Sequence, residues 1–258
     1  VTTFRPAVAD PALPAPAAGR PGVLSALDGA GLVPVPVLVA VLLLRTVLLF
    51  ALAGVIRLIA PDWWPHSLIM TNALILIVDL ATIGVVIMMV RRRGIGFGAL
   101  VGRFRPADAR WSLLMLAVLA VGFLAASVIG NLIAYGGAPA VAGQLSVPLW
   151  VGLGALPAAL TIGLAEEVLY RGIALDQLTR RVGWVGALLI TAVFFALQHI
   201  PLALISGPAV LAKVIMTFLV GLLLAGLMLR LRRLWPLVLS HAVIDLIFLG
   251  LPTLLAAL

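Results

Sequence analysis

Cysteine is absent from the 258 residues, which removes disulfides, thiolate zinc sites and cysteine nucleophiles from consideration. Charge is scarce too: Asp, Glu, Lys and Arg make up 10% of the chain, nine of them acidic, and there are three histidines. Any chemistry therefore falls to a few carboxylates, the imidazoles, hydroxyls or a bound metal. The first 33 residues lack the basic start and apolar stretch of a signal peptide. With Pro6, Pro11, Pro14, Pro16 and Pro21 they read as a disordered cytoplasmic tail, residues 1–33. There is no internal repeat.

What fills the chain is apolar: 64% of residues are hydrophobic and the mean hydropathy is +1.27, beyond any ordinary water-soluble domain. The expected fold class is all-α, a polytopic membrane helical bundle over residues 34–258. At roughly 20 apolar residues per span, about seven transmembrane helices are expected: Val35 to Ala60, Ser67 to Val90, Trp111 to Tyr135, Leu149 to Thr179, Trp184 to Ile200, Ala209 to Leu229 and Leu234 to Leu258.

The net charge of +8 does not indicate nucleic acid, because the arginines cluster beside apolar spans instead of forming a stripe. They read as topology determinants. Arg91, Arg92, Arg93, Arg103, Arg105 and Arg110 follow the second span, Arg180 and Arg181 the fourth, and Arg230, Arg232 and Arg233 the sixth. The intervening loops are nearly free of them, with only Arg57 near the first and Lys213 in the fifth. Positively charged loops stay cytoplasmic, so the N-terminus is expected in the cytoplasm and the C-terminus outside.

Ionisable groups at membrane depth are costly and call for a partner or a role. They are Arg45, Asp79, Glu166, Glu167, Arg171, His199, His241 and Asp245. Arg45 and Asp79 lie at similar depths and are expected to pair, with a proton or ion relay as the alternative. From Glu166 the chain runs about 15 residues to Arg181, turns at Gly183 and climbs about 16 to His199. An antiparallel hairpin then sets the imidazole opposite the carboxylate. His241 and Asp245 share a helix face at i, i+4, and Glu167 with Arg171 has the same spacing in the favourable order, as an internal ion pair. His66, beside Trp63, Trp64 and Pro65, reads as an interfacial anchor. Gly221 and Ala225 read as tight packing within the bundle.

A lone buried histidine is usually a hydrogen-bonded packing residue. Two histidines with two acids at compatible depths suit water activation instead, with a carboxylate taking the proton and histidine orienting the water. The same four residues, Glu166, His199, His241 and Asp245, have the composition of a Zn²⁺ site. Spacing alone does not choose between the two.

AEEVLYRG (Ala165 to Gly172), FALQH (Phe195 to His199) and HAVID (His241 to Asp245) match, in order, motifs EExxxR, FxxxH and HxxxN/D. In these motifs the chain resembles the CPBP intramembrane proteases, also called the Abi or CAAX-protease family, over about Leu149 to Gly250. The resemblance implies a protease core at about 149–250 in a bacterial plasma membrane, opening to the cytoplasmic side. It implies cleavage of prenylated CAAX-like, leader-peptide or other membrane-protein substrates. Carried over by position, Glu166 and His199 activate water, His241 and residue 245 stabilise the oxyanion, and Glu167, Arg171 and Phe195 support the site. The family often has asparagine at the last position, a hydrogen-bond donor; Asp245 donates only when protonated. Asparagine is also a poor zinc ligand, which favours the metal-free alternative. A transporter, or a non-catalytic immunity or scaffold protein of the same fold, is the competing reading; a transporter would show inverted repeats and broken helices in matching halves, and neither is visible.

Overall fold

The computed structural model describes residues 31–139 and 146–258, so most of the expected tail lies outside the described residues. All regular structure among them is helical. Helix α1 is Val35–Ile59, α2 Thr71–Arg91, α3 the short Phe97–Val101, α4 Pro106–Tyr135, α5 Leu149–Glu166, α6 Leu175–Leu197, α7 Gly207–Leu231, α8 Leu234–Asp245 and α9 Leu251–Leu255. A π-helical segment, Glu167–Ala174, joins α5 to α6, and a second, Leu246–Gly250, joins α8 to α9.

Among the described residues six helical stretches are long and apolar enough to cross a membrane, and the chain is an integral membrane protein. One of them, Leu149–Leu197, holds 49 residues, more than twice the roughly 20 a bilayer needs. It contains both the fourth and fifth expected spans, broken within α6 at Gly183, whose φ of 73° and ψ of 170° are not helical. A left-handed φ suits glycine, which has no Cβ to clash. The chain reverses there: the Tyr170 hydroxyl lies 3.5 Å from the Phe194 carbonyl and Gln198 Nε2 3.1 Å from Glu166 Oε1, residue pairs centred on the same point of the sequence. The hairpin expected from arm length is therefore present.

Other boundaries move by a few residues: α2 begins at Thr71 rather than Ser67, after a 3-10 segment at His66–Met70, and the last helix ends at Leu255 rather than Leu258. α4 begins at Pro106 rather than Trp111, because proline suits the first helical position and Asp108 accepts from the Arg105 backbone N–H at 2.7 Å. Asp108 also pairs with Arg233 at the start of α8, tying two helix ends together. Val33, the last residue of the expected tail, is docked: its N–H donates to Gln177 at 2.7 Å and its carbonyl accepts from Arg181.

Packing follows the lipid-and-core division that an all-apolar helix requires. Outward residues such as Leu113 and Val121 of α4 are 70% exposed, a surface for acyl chains. Inward, Leu169, Tyr170, Ile173, Phe195, Leu224 and Leu237 form the main core. Gly221 and Ala225 of α7 are buried in it, and a Cβ on Gly221 would meet Ala192 Cα at 3.1 Å, so they serve packing within the bundle.

Arg45 is fully buried, and its Nη1 donates to Asp79 Oδ1 at 2.6 Å. The expected pair is formed, and it is larger than a pair. Arg45 Nη2 also reaches Glu166 Oε1 at 3.2 Å, while Thr161 donates to Asp79 Oδ2 at 2.7 Å. Removing one partner of a buried ion pair costs about 3 to 5 kcal/mol, because the other charge is left uncompensated. Arg45→Ala is expected to lower the folded yield in detergent more than Asp79→Ala does, since it leaves the carboxylates of Asp79 and Glu166 without their guanidinium, whereas Asp79→Ala leaves Arg45 still paired with Glu166. The double variant should lose less than the sum of the two, and size-exclusion yield with thermal unfolding measures it; additive losses would argue against the pairing.

Candidate active site

The hairpin and α8 carry the motif residues to one place. α5 delivers Glu166 in its last turn, and the chain then widens into the π-helical segment, a form often found at functional sites. Glu167 opens that segment. α5 and α8 approach so closely at Gly163 that a Cβ there would lie 2.8 Å from Ala242 N and 2.9 Å from the Val238 carbonyl oxygen. This places the turn holding both glutamates beside His241.

Glu167, fully buried, joins two partners through Oε1: Arg171 Nη1 at 3.1 Å and His241 Nδ1 at 2.9 Å. The expected Glu167–Arg171 ion pair is present, and the contact to His241 is additional. A carboxylate accepts, so Nδ1 carries the proton and the ring is fixed with Nε2 facing the other way. Nε2 lies 3.7 Å from Glu166 Oε2 and 3.6 Å from Asp245 Oδ2. Both gaps exceed a direct hydrogen bond and leave room for an atom held between the three groups. Glu166 Oε2 and Asp245 Oδ2 are buried with no hydrogen-bond partner, and unpaired buried acceptors call for a function.

His199, partly buried at the end of the other arm, directs Nδ1 to the Phe195 carbonyl at 2.6 Å. A carbonyl only accepts, so in the neutral ring Nε2 is the basic nitrogen. Phe195 packs at 4.9 Å between ring centroids from His199 and 6.3 Å from His241, with the Arg171 guanidinium 4.4 Å above its own centroid. It is the apolar spacer between the two imidazoles.

Glu166, His199, His241 and Asp245 all line one cavity of about 90 Å³, the liquid volume of about three waters. Most of its wall is apolar, from Ile75, Leu119, Ile162, Val220, Leu224 and Leu249. His66 is exposed between α1 and α2 and takes no part.

Three contributors were not expected. Lys213, read from sequence as a loop charge, lies within α7 and lines the cavity. Gln198 bonds Glu166 and Arg45, at 3.1 and 2.8 Å; the signal available was an amide inside the apolar run FFALQHIPL. Arg45 reaches Glu166 as well as Asp79.

For a metal, the four candidate ligands share a cavity, yet among the described residues no group of three or more His, Asp or Glu side chains is placed to hold an ion. Zn²⁺ ligands stand about 2.0 to 2.2 Å from the metal. The second oxygen of Glu166 is already bound by a guanidinium and an amide. The side chains as arranged among the described residues form no group that could hold a metal ion.

A carboxylate with one free oxygen, two imidazoles and a second acid thus surround an apolar chamber inside a helical membrane bundle, groups that can hold or move a proton. Residues 148–247 match the family described as type II CAAX prenyl endopeptidase Rce1-like, so the chain carries a domain of the CPBP (Abi) CAAX-protease family, and this implies an intramembrane protease acting on a peptide substrate. No curated protein matches the chain, and no solved structure does.

Gly163→Ala is expected to force α5 and α8 apart by a few tenths of an ångström or more. The loss in stability should be about 1 to 3 kcal/mol, as for other overpacked cores. Activity per folded molecule should fall as well, because Glu167 then no longer meets His241. Thermal unfolding and specific activity of the monodisperse fraction check both halves; a stable, fully active variant would mean that this contact does not set the site.

Proposed function

We propose that this protein is an intramembrane endopeptidase in which Glu166 is the general base. The observation that carries it is Glu166 Oε2, buried, without a partner, and on the wall of the cavity facing His241 Nε2. Oε2 takes a proton from a water in the cavity and the resulting hydroxide oxygen attacks the peptide carbonyl carbon. The carbonyl electron pair moves onto its oxygen. His241, held at Nδ1 by Glu167, donates from Nε2 to that oxyanion as imidazolium, and Asp245, when protonated, donates beside it. His199 Nε2 accepts from the same water and orients it. The oxyanion's electron pair then returns to re-form the carbonyl as the C–N bond breaks and the proton on Glu166 passes to the departing nitrogen, leaving a carboxylic acid, a free amine and Glu166 again as carboxylate.

The apolar chamber excludes bulk water and suits aliphatic side chains. We assign the substrate to membrane-associated peptides, with prenylated CAAX-like C-termini, leader peptides and membrane-protein tails within that class. On the positive-inside rule we assign the arginine-rich loops and the N-terminus to the cytoplasm and the C-terminus to the outside of a bacterial plasma membrane.

Glu166→Gln is expected to abolish cleavage while leaving folded yield near wild type, because the amide keeps size and polarity but accepts no proton. Asp245→Asn should be tolerated, since the amide supplies a donor. Chelators should have little effect. Comparing membrane proteomes from cells bearing the wild-type and Glu166→Gln chains identifies the cleaved proteins. Retained cleavage by Glu166→Gln, or a dead Asp245→Asn enzyme carrying one zinc per chain, would overturn the mechanism.

A further inference from the structure

Glu166 is held by only one of its two oxygens. Oε1 accepts from Arg45 Nη2 at 3.2 Å and from Gln198 Nε2 at 3.1 Å, and Arg45 Nε in turn donates to Gln198 Oε1 at 2.8 Å. The three side chains close a ring of hydrogen bonds on Oε1, while Oε2 is the oxygen that faces His241 Nε2. Arg45 and Gln198 are both fully buried. Gln198 fills an unspecified position of FALQH, and Arg45 lies on α1, outside the three motifs and outside the matched residues 148–247.

Resting on the reading of Glu166 as the base, we propose that Arg45, together with Gln198, is its positioning residue: the two fix Oε1 and leave Oε2 as the single oxygen presented to water. Arginine suits this task, because its planar fork addresses several acceptors at once in fixed directions, which an ammonium does not. Nη1 goes to Asp79 at 2.6 Å, a shorter contact than the 3.2 Å to Glu166. Asp79, itself held by Thr161 at 2.7 Å, shares the positive charge, so the guanidinium orients the base without being its sole counter-ion. Rotation of the carboxylate would break two hydrogen bonds, each made in a dry interior where an unmade bond is costly.

A purely structural Arg45 would affect folding and leave the folded enzyme unchanged; a positioning Arg45 alters the turnover of molecules that are folded. The test uses Arg45→Lys, Gln198→Met and, as control, Thr82→Val, whose hydroxyl lies 3.5 Å from Arg45 Nη1 and donates to the Val78 carbonyl at 2.7 Å. Purified chains in proteoliposomes are assayed on an internally quenched farnesylated peptide ending in a Cys-aliphatic-aliphatic-X sequence. Arg45→Lys and Gln198→Met are expected to lower kcat on the order of 10- to 100-fold, the scale of an ångström's misplacement, with KM little changed. The double variant should fall by less than the product, because both act through one oxygen. Thr82→Val should keep its kcat.

A second readout needs no substrate. The infrared difference between each chain and its Glu166→Gln counterpart isolates the Glu166 carboxyl band, which should shift in Arg45→Lys and Gln198→Met and stay in Thr82→Val. If Arg45→Lys does not fold, Gln198→Met decides. An unshifted band with wild-type kcat in folded Arg45→Lys or Gln198→Met overturns the proposal while leaving Glu166 as base. Cleavage that survives Glu166→Gln, or a probe that no variant cleaves, bears on the reading of function, and the band alone then supports or overturns the positioning role.

Discussion

Glu167 Oε1 is where the two walls of the site are joined. It accepts from Arg171 along its own helical segment and from His241 Nδ1 on α8. Inside an apolar bundle, a carboxylate without both would be an uncompensated charge. The contact fixes the tautomer of His241, sets its Nε2 between Glu166 and Asp245, and requires α5 to approach α8 as closely as Gly163 allows. Most of the remaining geometry of the cavity follows from that requirement.

The protein meets the membrane constraint on buried charge by sharing. Four acids and two arginines are arranged so that each arginine serves a carboxylate at the site and a second acceptor: Arg45 joins Glu166 to Asp79, and Arg171 joins Glu167 to the Gly221 carbonyl. The sharing leaves Glu167 Oε2 and Arg171 Nε buried without a partner, and also Glu166 Oε2 and Asp245 Oδ2, whose residues line the cavity, where low polarity strengthens any interaction they make.

Depth and face were legible in the sequence; direction around a helix axis was not. Hydropathy located the spans, equal arms about Gly183 located the hairpin, and i, i+4 spacing located Glu167 with Arg171 and His241 with Asp245. The rise per residue put Arg45 level with Asp79, but their common level says nothing of which neighbours α1 faces, so the bond to Glu166 stayed hidden. Gln198 carries no charge and is missed by any tally of ionisable groups. Glu167 looked complete once Arg171 was assigned, although a carboxylate accepts several hydrogen bonds. Lys213 sits in the second turn of α7, and a loop-based count of charges cannot tell such a position from a true loop.

Both π-helical segments start one residue after an acid of the site: the first follows Glu166 and the second follows Asp245. A turn closed by i→i+5 bonds holds one residue more than an α-helical turn needs, and each α-helical residue carries about 100° of rotation. The two acids therefore stand at seams where the upstream and downstream faces of a helix are set independently. In evolutionary terms these are the positions where an inserted residue can be absorbed, letting the wall of the cavity and the packing of α6 or of α9 diverge without disturbing each other.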